Sequence, residues 1–412
     1  FTRSAHHDAA AFFEQALLAL GPLPESRERA ELMLEVRFDL RHALQPLGDF
    51  DRLYANLRVA EGLAEAIGDQ QRLGRVSAYL TDCLRLSGDL EQAIETGRRA
   101  LAIIDKLGDV TARIPLNTYL GQVYYAGADY RTAADLFRRN IELLVGPLVY
   151  ERFGLLQIPS VHCRTCLAWC LAELGEFSEA MKNADEGMTI ARSVDHPLNI
   201  AVASSGLGSI HLRRGDNDDA IRVLEQGLEV CRTCNVPVWF PRVASDLGLA
   251  YARSGRTVEG VGLLEEAVAR GAAMKLTAGH SRSVASLAEA YLHAERIEES
   301  HNLAKQALAL ARLRGERGYE ASILLLLADV SDRVGDLEPA LDLCRQGLTL
   351  ANELGMRPLV AHLHLCLGRL SLCSGESSIA GKEFVTASVL FGEMGVERWR
   401  LEAERLRRSE DH

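Results

Sequence analysis

Two Cys-x-x-Cys pairs, Cys163 with Cys166 and Cys231 with Cys234, have residue types and spacing suited to metal chemistry. With His162 and Cys170 beside the first pair, four thiolates would surround a zinc ion tetrahedrally. Neighbouring carboxylates, Asp218 with Asp219 and Glu298 with Glu299, are a second constellation of reactive type. Motifs of other catalytic classes are missing: there is no Gly-x-x-x-x-Gly-Lys-Ser/Thr, no dinucleotide glycine fingerprint, no His-Glu-x-x-His and no Gly-x-Ser-x-Gly. What the cysteines and carboxylates do depends on the elements that carry them.

Those elements repeat. A Gly-Asp/Glu-x-x-x-Ala motif is anchored at Gly48, Gly88, Ala128, Gly175, Gly215, Gly255, Glu295, Gly335 and Gly375. The interval is 40 residues throughout except for 47 before Gly175, so nine units stand in register with one seven-residue insertion. Eight positions before each anchor stands a leucine, from Leu40 and Leu80 through Leu207 and Leu247 to Leu367. The next position is mostly minimal, as at Gly121, Ala168, Gly208, Gly248, Ala288, Ala328 and Gly368, and lets a second helix approach closely. After the anchor, Ala93, Ala133, Ala180, Ala220, Ala340 and Ala380 start a stripe that Ala100, Ala267 and Ala307 continue at helical spacing. Each unit reads as helix A, a tight turn, then helix B, closed by a glycine such as Gly68, Gly108, Gly315, Gly355 or Gly395 in the left-handed conformation. Units of this kind cannot bury their apolar faces alone and stack into a solenoid.

The register reassigns the reactive residues. Cys163 falls in a column otherwise filled by Val76, Leu116, Ala203, Val243, Ile323 and Leu363, and Cys231 in one filled by Ala191, Ala311 and Ala351. Both positions ask for a small buried apolar side chain, which free cysteine supplies, so packing is the reading preferred over zinc. The carboxylate pairs lie in the first turn of helix B, where negative charge complements the helix dipole. The expectation is a chain without enzymatic activity, metal or cofactor. Most prolines, among them Pro115, Pro147, Pro159, Pro197, Pro237, Pro241 and Pro358, are expected between helices, and Pro339 in a first turn.

These columns resemble the tetratricopeptide repeat, whose Leu-Gly-x-x-Tyr, central Gly and paired Ala positions match Leu120-Gly121 with Tyr124, Leu247-Gly248 with Tyr251 and Leu287-Ala288 with Tyr291. The resemblance implies an all-α, right-handed superhelix of about nine 40-residue units, longer than the standard repeat of 34 residues. It places ligand-facing positions on helix A, on the concave side. Those columns hold Arg75, His162, Arg242, Arg282 and His362; then Thr118, Thr165 and Ser245; then Asp82, Gln122, Trp169, Glu289 and Asp329; then Arg85 and Tyr125. Trp169 or Tyr125 could anchor a partner chain, and the adjacent Arg242 and Arg282 could hold a carboxylate. Because these columns vary, the fold is expected not to need their side chains. Two irregular stretches offer alternative docking patches: the insertion 146–160 with Arg152 and Phe153, and 236–241 with Trp239 and Phe240.

The segment Ser4 to Ala16 reads as a turn and a helix B without its helix A, giving a partial repeat over 1–25, repeats over 26–395 and a capping helix over 396–412, all one solenoid. In the cap, Trp399 and Leu401 are the expected apolar contacts and Glu402, Glu404, Arg405, Arg407 and Arg408 the solvated face. A net charge of −11 disfavours nucleic acid and anionic membrane as partners. Nine cysteines without a fixed framework fit a reducing, cytoplasmic setting. The stretches 31–48, 72–80, 151–176 and 355–363 look like the C-terminal repeat region of large bacterial signalling proteins that join a cyclase or other output to a P-loop ATPase and a repeat array. That resemblance implies a sensory or scaffold module binding a protein or peptide, or other domains of a longer chain. A peptide- or small-molecule-sensing module that controls an upstream output is the alternative it carries.

Overall fold

The computed structural model describes residues 2–234 and 236–408. Helix α1 (Thr2–Leu20) packs on the first of nine helix pairs found among the described residues. The pairs are α2 (Arg27–Leu47) with α3 (Phe50–Ala66), α4 (Gln70–Ser87) with α5 (Leu90–Leu107), and α6 (Val110–Ala126) with α7 (Tyr130–Leu143). There follow α8 (Pro159–Leu174) with α9 (Phe177–Val194), α10 (Pro197–Arg214) with α11 (Asn217–Thr233), and α12 (Phe240–Arg253) with α13 (Thr257–Ala273). The last are α14 (His280–His293) with α15 (Ile297–Leu313), α16 (Arg317–Val334) with α17 (Leu337–Glu353), and α18 (Arg357–Cys373) with α19 (Ser377–Glu393), before the final helix α20 (Glu397–Arg408). The insertion between α7 and α8 opens with a short 3-10 turn over Gly146–Tyr150.

The anchor motif divides two tasks between its residues. All nine anchors have positive φ, including the non-glycine Ala128 at 68° and Glu295 at 59°. A left-handed residue ends helix A and turns the chain back. In the second and third units the following Asp89 and Asp129 then accept the backbone N–H three residues on, capping helix B. Asp49 does the same in the first unit.

Pairing inside a unit rests on matched volumes. The leucine eight before each anchor is buried in every unit. The next residue faces a helix B side chain nine past the anchor, and the two sizes are complementary. Gly121, Gly208, Gly248 and Gly368 face Phe137, Leu224, Leu264 and Phe384, and a Cβ on those glycines would lie 2.7, 2.4, 2.7 and 2.4 Å from the opposing side chain. Where the first position is Ala168, Ala288 or Ala328, the second is Ala184, Ala304 or Cys344, all buried. The second unit reverses the order, with Thr81 against Gly97. Interiors packed to crystal density leave no room for two large residues or a void for two small ones. The first unit departs from the pattern. Arg41 there is buried at 2% exposure, with Nη2 donating to the Tyr119 hydroxyl at 2.7 Å and its guanidinium 3.7 Å over the Tyr79 ring.

The stack coils tightly enough to meet itself. Gly48, in the first turn, lies so close to the connection after α13 that a Cβ would stand 2.9 Å from the Met274 carbonyl oxygen. The Thr277 hydroxyl in that connection donates to the Leu86 carbonyl. Tyr130 in the third turn reaches Met356 across 226 residues of sequence, at 3.9 Å. The Arg398 guanidinium donates to the carbonyl of Gly215, the fifth anchor, and α18 packs on α8. Turns of the first five units therefore dock on connections that follow the sixth to ninth, and the superhelix encloses a lumen.

Three expectations need correction. Pro115 lies inside α6 rather than between helices. In α20, Leu401 is exposed, and Ala403 and Leu406 pack inward beside Trp399, because the helix is rotated to seat Trp399 on Phe391 and Gly215. Ser4 is helical, within α1, rather than in a turn. The part of the capping segment from 409 to 412 lies outside the described residues.

Leu247→Ala should cost about 2 to 5 kcal/mol, with hydrogen-exchange protection lost first in α10 to α14, because neighbouring units share interfaces. Gly208→Ala and Leu224→Ala should each destabilise, whereas the double variant recreates the Ala168/Ala184 pair. A double-mutant cycle on urea unfolding should give a coupling energy of about 0.5 to 3 kcal/mol in favour of the double variant; simple additivity would refute the volume match.

Candidate functional site: the lumen

Inside the coil lies a cavity of about 230 Å³ bounded by α4, α6, α8, α12, α14 and α16, by single residues at the ends of α2, α3 and α5 and by Ala267 and Gly271 of α13, together with the connections 155–157, 238–239 and 276–279. Its wall carries a run of rings. Tyr125 and Trp169 have centroids 6.0 Å apart, Trp169 and Trp239 6.4 Å, and the His162 ring stands edge-on to Trp239 at 5.9 Å. Arg242 lies over the Trp169 face at 4.1 Å, within cation–π range. Helix α12 places Arg242 one turn before Asp246, and α14 brings Arg282 from the adjacent unit, so both guanidinium groups converge on the buried Asp246 carboxylate. The two arginines thus stand side by side, as expected from their shared column.

Several polar atoms here have no hydrogen-bond partner in the protein. They are the Tyr125 hydroxyl, His162 Nδ1, Trp169 Nε1, Arg242 Nη2 and Arg282 Nε; Arg242 Nε and Asp246 Oδ2 also make no hydrogen bond but face each other as an ion pair at 3.4 Å. His162 is 3% exposed and Trp169 7%. Gln122 Nε2 stands 2.6 Å from His162 Nε2; since an amide nitrogen donates, the neutral imidazole accepts at Nε2 and carries its own proton at Nδ1. Burial, and after it the charge of Arg85, lower the His162 pKa to about 3. Elsewhere on the wall, Arg85 pairs with Asp82 at 2.7 Å, Arg314 donates to the Thr277 carbonyl at 2.8 Å, and Glu316 accepts from Ser281. Burial raises the Glu316 pKa.

The lumen brings together Gln122, Tyr125, His162, Trp169, Trp239, Arg242 and Arg282. It does not include Arg75, which lies 4.4 Å over the Phe38 ring and donates to the Tyr79 hydroxyl, nor His362, which packs edge-on between Phe391 and Trp399. Phe240 is 1% exposed beneath Arg270 and belongs to the core rather than to a docking patch. Arg152 and Phe153 lie in the insertion, while the following Leu155, Leu156 and Gln157 turn into the lumen. The expectation that the fold dispenses with these side chains does not hold for Trp169 or His162, which are buried among core residues. Tyr319, Glu316 and Arg314 were not singled out from the sequence, because only the coil carries the start of α16 opposite α6.

The two Cys-x-x-Cys pairs do not come together. Cys163, Cys166 and Cys170 belong to one core, Cys231 to another, and Cys234 is exposed. Burial raises the Cys163 pKa and pushes Cys231 up to about 12, so both stay thiols. Cys163 instead lies 3.5 Å from the Asn140 amide and from the Thr118 hydroxyl. Among the described residues no three His, Cys, Asp or Glu side chains are placed to hold a metal ion, and no helix is long and apolar enough to cross a membrane.

The family model of the tetratricopeptide repeat matches residues 203–237. No curated protein matches the sequence. A solved Rap protein in complex with competence and sporulation factor superposes on 85% of this chain and 94% of its own, at 16% identity and a TM-score of 0.64. The Rap conjugation gene regulator of plasmid pLS20, in complex with the Phr* peptide, covers 85% and 96% at 16% identity and a TM-score of 0.55. A signal transduction ATPase with a tetratricopeptide repeat sensor, from Pyrococcus horikoshii, aligns with 92% of this chain and 55% of its own, at 14% identity and a TM-score of 0.49. At these identities the likeness is one of fold.

Purified protein should carry less than stoichiometric zinc and keep its helix content in a strong chelator, as measured by elemental analysis and circular dichroism. The buried histidine sets a pH dependence. Unfolded, its imidazole protonates near 6.5; folded, only near 3. The unfolded chain therefore binds the extra proton between those values, so stability is full above the unfolded value and falls as pH is lowered toward the folded one. His162→Gln should flatten that fall by up to about 1.4 kcal/mol per pH unit, read from urea unfolding between neutral pH and the acid limb.

Proposed function

We propose that this tetratricopeptide-repeat superhelix is a non-enzymatic regulatory module that receives a peptide or an extended protein segment in its lumen. The observation that carries the proposal is the set of unpartnered donors on Tyr125, His162, Trp169, Arg242 and Arg282, gathered from four helix A segments around an aromatic wall. A polar group buried without a partner costs about 1 to 3 kcal/mol, and a packing core would have replaced it. A chain backbone supplies alternating donors and acceptors at the spacing such a wall can use, and its side chains can lie against the rings. Two proteins of the same fold are solved in complex with competence and sporulation factor and with the Phr* peptide, which supports a ligand-binding reading. Within this reading the array, one solenoid over the whole chain, senses or scaffolds in the cytoplasm, in a bacterial signalling protein whose catalytic output lies elsewhere.

The test is a random peptide library displayed on phage and selected on the immobilised protein, followed by hydrogen exchange with a recovered peptide. Protection is expected in α6, α8, α12 and α14, with the outward helices α9 and α15 unchanged. Protection confined to the part of the insertion outside the lumen, 146–154, or to α9 and α15 would refute lumenal binding.

A further inference from the structure

We infer that the lumen selects a peptide by a carboxylate, seated on Arg242 and Arg282 beside Trp169. This inference rests on the peptide-binding reading above and adds the chemistry of the anchor. Around the cavity stand four arginines, Arg85, Arg242, Arg282 and Arg314, against three carboxylates, Asp82 and Glu316 on its wall and Asp246 in contact with Arg242 and Arg282. The interior is therefore positive within a chain of net charge −11. Low-dielectric walls focus such a field on whatever enters.

The imbalance centres on the arginine pair. Arg85 is matched by Asp82, and the nearby Arg213 by Glu173. Arg242 and Arg282, by contrast, share the single carboxylate of Asp246. One positive charge is left without a counter-charge where the Arg242 and Arg282 side chains are only 17% and 13% exposed. A partly buried cation without an anion is costly. The nitrogens left over, Nη2 of Arg242 and Nε of Arg282, are joined on the same wall by the unpartnered indole N–H of Trp169. Planar N–H forks of this kind match the two oxygens of a carboxylate. Asp246 already shows that the pair accepts that group, and a second carboxylate completes neutrality.

A peptide offers a carboxylate from its C-terminus or from an Asp or Glu side chain, and the experiment separates the two. Three pools of short random peptides free of internal acids are incubated with the immobilised protein: one with a free C-terminus, one amidated, and one amidated with a single fixed Asp. Retention is read by mass spectrometry. At least one acid-bearing pool should be retained about tenfold over the acid-free pool, and which one wins identifies the source. Asp246→Asn frees both guanidinium groups and should increase retention of that pool. Arg282→Gln should reduce it to the acid-free level, with circular dichroism confirming the fold of both variants. Equal retention of all pools would overturn the carboxylate inference while leaving peptide binding intact; retention of none would overturn both.

Discussion

Everything in this molecule hangs on the close approach of two helices at one point in each unit, one residue beyond the buried leucine of helix A. There the volumes at the two facing positions are matched in every unit but the first, glycine against phenylalanine, leucine or threonine and alanine against alanine or cysteine. A left-handed residue seven positions later makes the turn that sets up the contact. Since helices that approach within a glycine's width are fixed in both distance and crossing, the geometry of one unit is copied into the next, and a regular coil follows.

The coil has a consequence that no single unit contains. Turns of the first five units reach connections that follow the later ones through contacts such as Tyr130 with Met356 and Arg398 with Gly215. Contacts of this range are unusual in a solenoid, where each repeat ordinarily touches its neighbours alone. They convert an open groove into a lumen and remove Trp169 and His162 from solvent. Residues that would be a loose recognition surface on an open array become part of a walled cavity, so the proposed binding role falls on side chains that also pack the fold.

Inside the cavity, electrostatics and packing pull in different directions. The rings of Tyr125, Trp169 and Trp239 make an apolar wall, while two guanidinium groups bear on one carboxylate. Such a site is too polar to be a good core and too dry to leave its charges screened by bulk water. The proposed ligand, a peptide that brings both apolar surface and an anion, would resolve both mismatches together.

The sequence by itself determined the unit, its repetition and its turns. The 40-residue register, the leucine and small-residue columns and the positive φ at each anchor are all local, because helix periodicity and turn chemistry act within a few residues. It also assigned Cys163 and Cys231 to packing columns, and it placed Arg242 beside Arg282 through equivalent positions in adjacent units. The volume match was legible as well, had the columns nine residues past the anchors been compared with those seven before. What only the tertiary structure decided is the winding. Whether Arg75 and His362 share a site with Trp169, and whether Tyr319 faces Tyr125, depends on a small rotation between units, accumulated over several of them. No residue type encodes that rotation: it is the summed result of every inter-unit contact, and it separates Arg75 and His362 from the lumen while bringing α16 into it.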